Sequence, residues 1–129
     1  MDSSSLMEKF NFLDVKIRLP YHVDLSIDVV HGGKTIRNTV VDEGASMCVM
    51  PISFWKTLGS LELVLSNTLI TAFEGRSFRL HGILPNFEIK LVGKEVVFEV
   101  EVIDAPLDYN LLLGRSWTYA MCVISSVVL

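Results

Sequence analysis

Long apolar runs are missing from this 129-residue chain, although half of it is hydrophobic. Its uninterrupted apolar stretches are far shorter than the roughly 20 residues that span a bilayer, so no membrane partner is expected. Ser3, Ser4 and Ser5 stand where a secretory signal would carry a basic stretch and then an apolar one, and the N-terminus does not resemble such a signal. Basic charge is also short. Eleven Lys and Arg face 15 Asp and Glu for a net charge of -4, and no basic cluster is interleaved with aromatics, which excludes a nucleic-acid-binding surface. Cys48 and Cys122 are the two cysteines and have no C-x-x-C spacing. Both read as small buried apolar side chains rather than as a disulfide. His22, His31 and His81 share no metal-ligand spacing with them, so neither a metal nor a cofactor is expected. The apolar excess is left for a core or a subunit interface, in an intracellular, self-associating β protein of one domain.

What the chain does contain is alternation. Residues 1–20 read as an irregular segment that Pro20 closes, and the domain proper runs over 21–129. Val23, Leu25, Ile27 and Val29 alternate with Asp24, Ser26 and Asp28, the period of a half-buried strand. His31-Gly32-Gly33-Lys34 reads as a hairpin turn, and Ile36 to Val41 as the returning strand. Pro51 to Leu58 predicts a short helix with Ser53 as its cap and Gly59 as its stop. Leu69, Thr71 and Phe73 begin a strand that breaks at Glu74-Gly75 and resumes from Phe78 to Leu84. Phe87, Ile89 and Leu91 turn at Gly93-Lys94 into Phe98, Val100 and Val102, while Glu99 and Glu101 form a solvated face. Asp104-Ala105-Pro106 breaks that hairpin, and Tyr109 to Leu113 is a further apolar strand ending at Gly114. Many short strands with almost no helix predict a sandwich or a barrel. Val123 to Leu129 reads as one more strand, without a polar finish, as in a fragment of a longer polypeptide.

The chemistry concentrates at Val40-Val41-Asp42-Glu43-Gly44-Ala45-Ser46. An apolar strand delivers an acid into a tight turn, and a glycine two residues on lets backbone amides approach its carboxylate. Asp-x-Gly-Ala alone is a common turn. Two further pieces follow in order: Thr71-Ala72-Phe73-Glu74-Gly75-Arg76-Ser77 between strands, and the apolar Leu111-Leu112-Leu113-Gly114-Arg115. His81 has no Ser or Cys nucleophile motif beside it and reads as a surface strand residue. Trp55 and Trp117 read as core.

Taken together these pieces resemble the aspartic-protease domain of plant Ty3/gypsy-type LTR retrotransposon polyproteins. The likeness rests on the Asp42 loop, on G-A-S-M-C-V-M-P (44–51), on I-T-A-F-E-G-R-S-F (70–78) and on D-Y-N-L-L-L-G-R-S-W-T-Y-A-M (108–121), and covers roughly residues 20–125. The resemblance implies an all-β fold: a closed antiparallel barrel of the acid-protease (retropepsin) type with one short helix. It implies Asp42 as the catalytic residue, with Glu43, Gly44 and Ala45 completing its loop. Phe73, Glu74 and Gly75 would belong to a flap over the substrate, and Leu113, Gly114 and Arg115 would support the loop. The implied activity is peptide-bond hydrolysis by a homodimer acting on segments of its own polyprotein, inside the cell. The sequence agrees on the dimer by its own logic. The mechanism needs two carboxylates sharing a proton, and this chain has a single Asp-x-Gly. In retropepsins the terminal strands of the two subunits interleave, which assigns Val123 to Leu129 to the interface.

Two positions depart from the family pattern. Glu43 stands where the family has Thr or Ser, whose hydroxyl bonds the partner's loop. Two such charges about 5 Å apart at an effective dielectric near 20 would repel by roughly 3 kcal/mol. Either Glu43 points outward, or it is protonated, or the protease is impaired. Ser46 stands where viral relatives carry an acid paired with the arginine of L-G-R, so Arg115 needs another partner; the plant elements share Ala-Ser here. The leading reading is therefore an aspartic endopeptidase. The alternatives are an impaired, decayed copy acting as a dimerisation or peptide-binding module, and an unrelated ligand-binding barrel.

Overall fold

Strand β1, Leu25–His31, meets β2, Lys34–Val41, through the two-residue turn Gly32-Gly33, with φ of 56° and 79°. Positive φ at both positions is the type I′ geometry that matches strand twist, and glycine meets it without strain. The computed structural model describes residues 25–127. Val23, Asp24, His22 and the expected irregular segment 1–20 lie outside the described residues, as do Val128 and Leu129.

After β2 come β3, Cys48–Pro51, and helix α1, Ile52–Thr57. The helix begins directly after Pro51, which is its N-cap; Ser53 lies inside and its side chain does not cap it. Gly59, at φ 97°, ends the segment as expected. Strands β4, Ile70–Phe73, and β5, Arg76–Leu91, form the next hairpin. The two segments read as separate strands on either side of Pro85 are one 16-residue strand, with register shifts between Leu80 and Gly82 and between Leu84 and Phe87. Strand β6, Lys94–Asp104, returns from it, β7 is Leu111–Leu113, and helix α2 is Arg115–Val127.

The sheet order β1-β2-β7-β3-β6-β5-β4 closes where Val30 of β1 pairs with Lys90 of β5, which leaves β4 as an extension of β5 outside the ring. The expected closed barrel is thus a six-stranded ring of mixed direction: β2 runs parallel to β7, and β3 parallel to β6. Inside it Val29, Met50, Val100, Leu111 and Leu113 pack together with Trp117 and Met121 of α2. Their alternates on the same strands, Val40, Val49, Ile103 and Leu112, form a second cluster on the opposite face with Phe73 and Leu80. Strands β2, β3 and β7 are therefore apolar on both faces where they converge, which is why Val40-Val41 and Leu111-Leu112-Leu113 read as unbroken apolar runs.

The C-terminal segment differs from expectation. Residues through Val127 are helical, so the described residues hold two helices rather than one, and Val123 to Val127 is not a strand. Among the described residues no helix is long and apolar enough to cross a membrane.

Candidate active site

The two apolar strands that meet at the barrel's centre also place its acid. Val41 of β2 pairs with Leu113 of β7, and the next amide, that of Asp42, donates to the Leu113 carbonyl at 3.0 Å. The chain then turns. The amide of Gly44 donates to Asp42 Oδ1 at 2.8 Å, and that of Ala45 donates to the Asp42 carbonyl at 3.1 Å. A carboxylate receiving the amide two residues on is held in orientation by its own loop.

The stretch after β7 braces this turn from the other side. The amides of Arg115 and Ser116 donate to the carbonyls of Ala45 and Ser46 at 2.8 and 3.2 Å. Arg115 Nη1 donates to the Glu43 carbonyl at 3.2 Å, so the arginine finds on the loop backbone the partner that Ser46 does not provide. Such close approach leaves no room at Gly114: a Cβ there would stand 2.7 Å from the Ala45 oxygen and 2.9 Å from the Met47 carbonyl carbon. The Gly114 amide donates to Cys48 Sγ at 3.4 Å, and Ser116 Oγ lies 3.3 Å from the same sulfur. Burial pushes the Cys48 thiol above its ordinary pKa, with hydrogen bonds from Ser116 and nearby backbone opposing, so it is a neutral structural group. Cys122 is half-buried rather than buried, and both cysteines are free thiols.

Opposite the loop stands the β4–β5 hairpin. Its tip is Glu74-Gly75, with φ of 53° and 72°, again a type I′ turn, and Phe73 pairs with Arg76 beneath it. Phe73 is buried and lies against Phe78, over whose ring Arg76 is placed. Between hairpin and loop lies a cleft of about 290 Å³ lined by Asp42, Gly44 and Ala45 on one side and by Thr71, Phe73 and Glu74 on the other. Glu43 and Gly75 are not part of its lining. Leu113 is buried behind the loop, beside Gly114 and Arg115.

Glu101 also lines this cleft and receives the Thr71 hydroxyl at 2.8 Å. Its expected solvated face exists only at Glu99, which is exposed; Glu101 is half-buried because the hairpin covers that part of β6. Both glutamates obey the same alternation, so only the neighbouring hairpin distinguishes them. Every ionisable group lining the cleft is acidic: Asp42, Glu74 and Glu101. His81 is an exposed residue of β5 in edge contact with Trp55, and Trp117 is fully buried.

No family model matches the sequence, and no curated protein matches it. Solved structures do resemble the fold. The retroviral protease-like domain of Ddi1 from Leishmania major superposes with a TM-score of 0.58 at 19% identity, over 74% of this chain and 75% of that one. A retropepsin-like aspartic protease from Rickettsia conorii gives 0.52 at 24% identity, over 72% and 68%. At these identities the likeness defines the fold, a retropepsin-like barrel, and leaves the chemistry to the residues themselves.

Proposed function

We propose that this chain is one half of an aspartic endopeptidase of the retrotransposon type, which cleaves segments of the polyprotein that contains it, inside the cell. One observation carries the reading. An acid lies at the mouth of a strand, oriented by the amide of Gly44, in a cleft roofed by a β-hairpin. An extended peptide fits such a cleft, with the hairpin above it and the carboxylate beneath. Two copies of the chain bring two Asp42 side chains together. One takes a proton from water as it attacks the scissile carbonyl, and the other gives a proton to the carbonyl oxygen. The two carboxylates share that one proton between them.

In this reading Glu43, Gly44 and Ala45 shape the catalytic loop, Phe73, Glu74 and Gly75 form the flap, and Leu113, Gly114 and Arg115 hold the loop in place. No cofactor is needed. The test is cleavage of peptides from the flanking polyprotein at mildly acidic pH. Activity should rise faster than linearly with protein concentration, stop with pepstatin, and vanish in Asp42→Asn, which removes the proton chemistry and little volume. Cleavage by Asp42→Asn at the wild-type rate sinks the assignment. Glu43, in the place of a hydroxyl, favours a second reading: an impaired peptide-binding dimer, which would bind the same peptides without cutting them.

A further inference from the structure

We propose that the outward face of α2, centred on Tyr119 and Val123, is the surface on which a second copy of this chain docks. This deepens the dimeric reading above and rests on it. The helix is unusual in charge: from Ser116 to Val127 it carries none, and Arg115 at its first position is its one ionised side chain. Its inward stripe is accounted for by Trp117 and Met121, with Ala120 and Ile124 packed against the same core. A helix lying on a barrel ordinarily turns polar residues to water on the opposite side. Here Tyr119 is 70% exposed and Val123 60%, one turn apart, so they form a continuous apolar stripe.

Scattered exposed apolar residues mean little by themselves. The position of this stripe gives it meaning. Arg115 Nη1 donates to the Glu43 carbonyl at 3.2 Å, and the Arg115 and Ser116 amides donate to the Ala45 and Ser46 carbonyls at 2.8 and 3.2 Å, so α2 starts directly on the Asp42 loop. Arg115, Tyr119 and Val123 are spaced four residues apart, so the stripe runs on from the loop along one row of the helix. The stripe thus borders the one part of the molecule that must meet its own copy if two Asp42 carboxylates are to share a proton. A twofold contact is self-complementary, so a patch bordering the axis meets the same patch, and an uncharged stripe can do so without repulsion. A tyrosine buried in such a contact carries much of its energy, with the Asp42 loop at the axis beside it. The dimer is then built on packed helices, in place of the interleaved strands expected from the sequence.

The experiment is sedimentation equilibrium of the 129-residue chain, with wild type beside Tyr119→Glu, Val123→Glu and the milder Tyr119→Ala. Leu65→Glu is the control, since Leu65 is 82% exposed and outside the helix. The helix variants should raise the dimer dissociation constant at least about 30-fold, as loss of an interface hot spot does. Leu65→Glu should leave it unchanged, and all four should keep the circular dichroism of a folded barrel. Dimers of wild-type strength in both glutamate variants overturn the inference while leaving the protease reading intact. A wild type that dimerises through this face yet never cleaves supports the inference and removes the protease reading.

Discussion

Gly114→Ala puts one methyl group where the backbone of the Asp42 loop already stands. The new Cβ would meet the Ala45 oxygen at 2.7 Å and the Met47 carbonyl carbon at 2.9 Å. Relief requires the 44–47 turn or the start of α2 to move by about 0.5–1 Å, and neither obstacle is a side chain that can rotate away. Overpacking of this kind typically costs about 1–3 kcal/mol. The bonds from the Arg115 and Ser116 amides, at 2.8 and 3.2 Å, run beside the clash and stretch with it. We therefore expect the upper end, about 3 kcal/mol, and a fall in Tm of roughly 10 °C or more for a domain of this size. Displacing the carboxylate by about 1 Å should lower turnover around 100-fold in the molecules still folded. Ile36→Ala provides the comparison. Its buried side chain fills the barrel away from the loop, so it should cost about 2–5 kcal/mol and leave the turnover of folded protein unchanged. The two variants are compared by calorimetry and by peptide cleavage well below either transition. A Gly114→Ala protein with wild-type Tm and turnover would refute the tight packing of loop against L-G-R and the supporting role derived from it.

Glu101→Gln should reduce the preference for substrates carrying Lys or Arg beside the scissile bond several-fold, since an ion pair in a half-open cleft contributes on the order of 1 kcal/mol. Competition between matched basic and neutral peptides measures it, and an unchanged ratio would remove Glu101 from the substrate's path. Glu43→Thr takes one negative charge per chain from beside the catalytic loop. The wild-type dimer should tighten with added salt and the variant should respond less, because screening relieves only the repulsion that remains. Equal salt slopes in sedimentation would place Glu43 away from the twofold axis.

The hairpins were legible because each combines period-2 alternation with a short turn: Gly32-Gly33 joins β1 to β2 and Glu74-Gly75 joins β4 to β5. The Asp42 loop, the β4–β5 hairpin and L-G-R were visible as separate motifs. That β7 inserts between β2 and β3 was not, because this pairing joins segments some seventy residues apart and no local pattern encodes it. The end of the chain was misread for a definable reason. Val123, Ile124 and Val127 favour strands by the β-branched shape of their side chains. Trp117, Met121 and Ile124 nevertheless fall on one helical face, and the barrel core buries that face of α2. Tertiary packing overrides propensity here. Glu101 was misplaced because alternation reports which side of a strand a residue takes and not what lies above that side.

The strand that roofs the cleft is also the strand that closes the barrel. The first residues of β5 pair with β4 in the hairpin over the cleft, and its last pair Val30 with Lys90 at the seam, where His31 Nδ1 donates to the Glu88 carbonyl at 2.7 Å. Between these ends the strand shifts register at Leu80/Gly82 and again at Leu84/Phe87, irregularities that bend a strand without interrupting it. A peptide that closed the β4–β5 hairpin over the cleft would load the single-pair closure of the ring through the same strand. Occupancy of the cleft should therefore be readable at a distance, as slower amide exchange of Val30 and Lys90, where no substrate atom reaches.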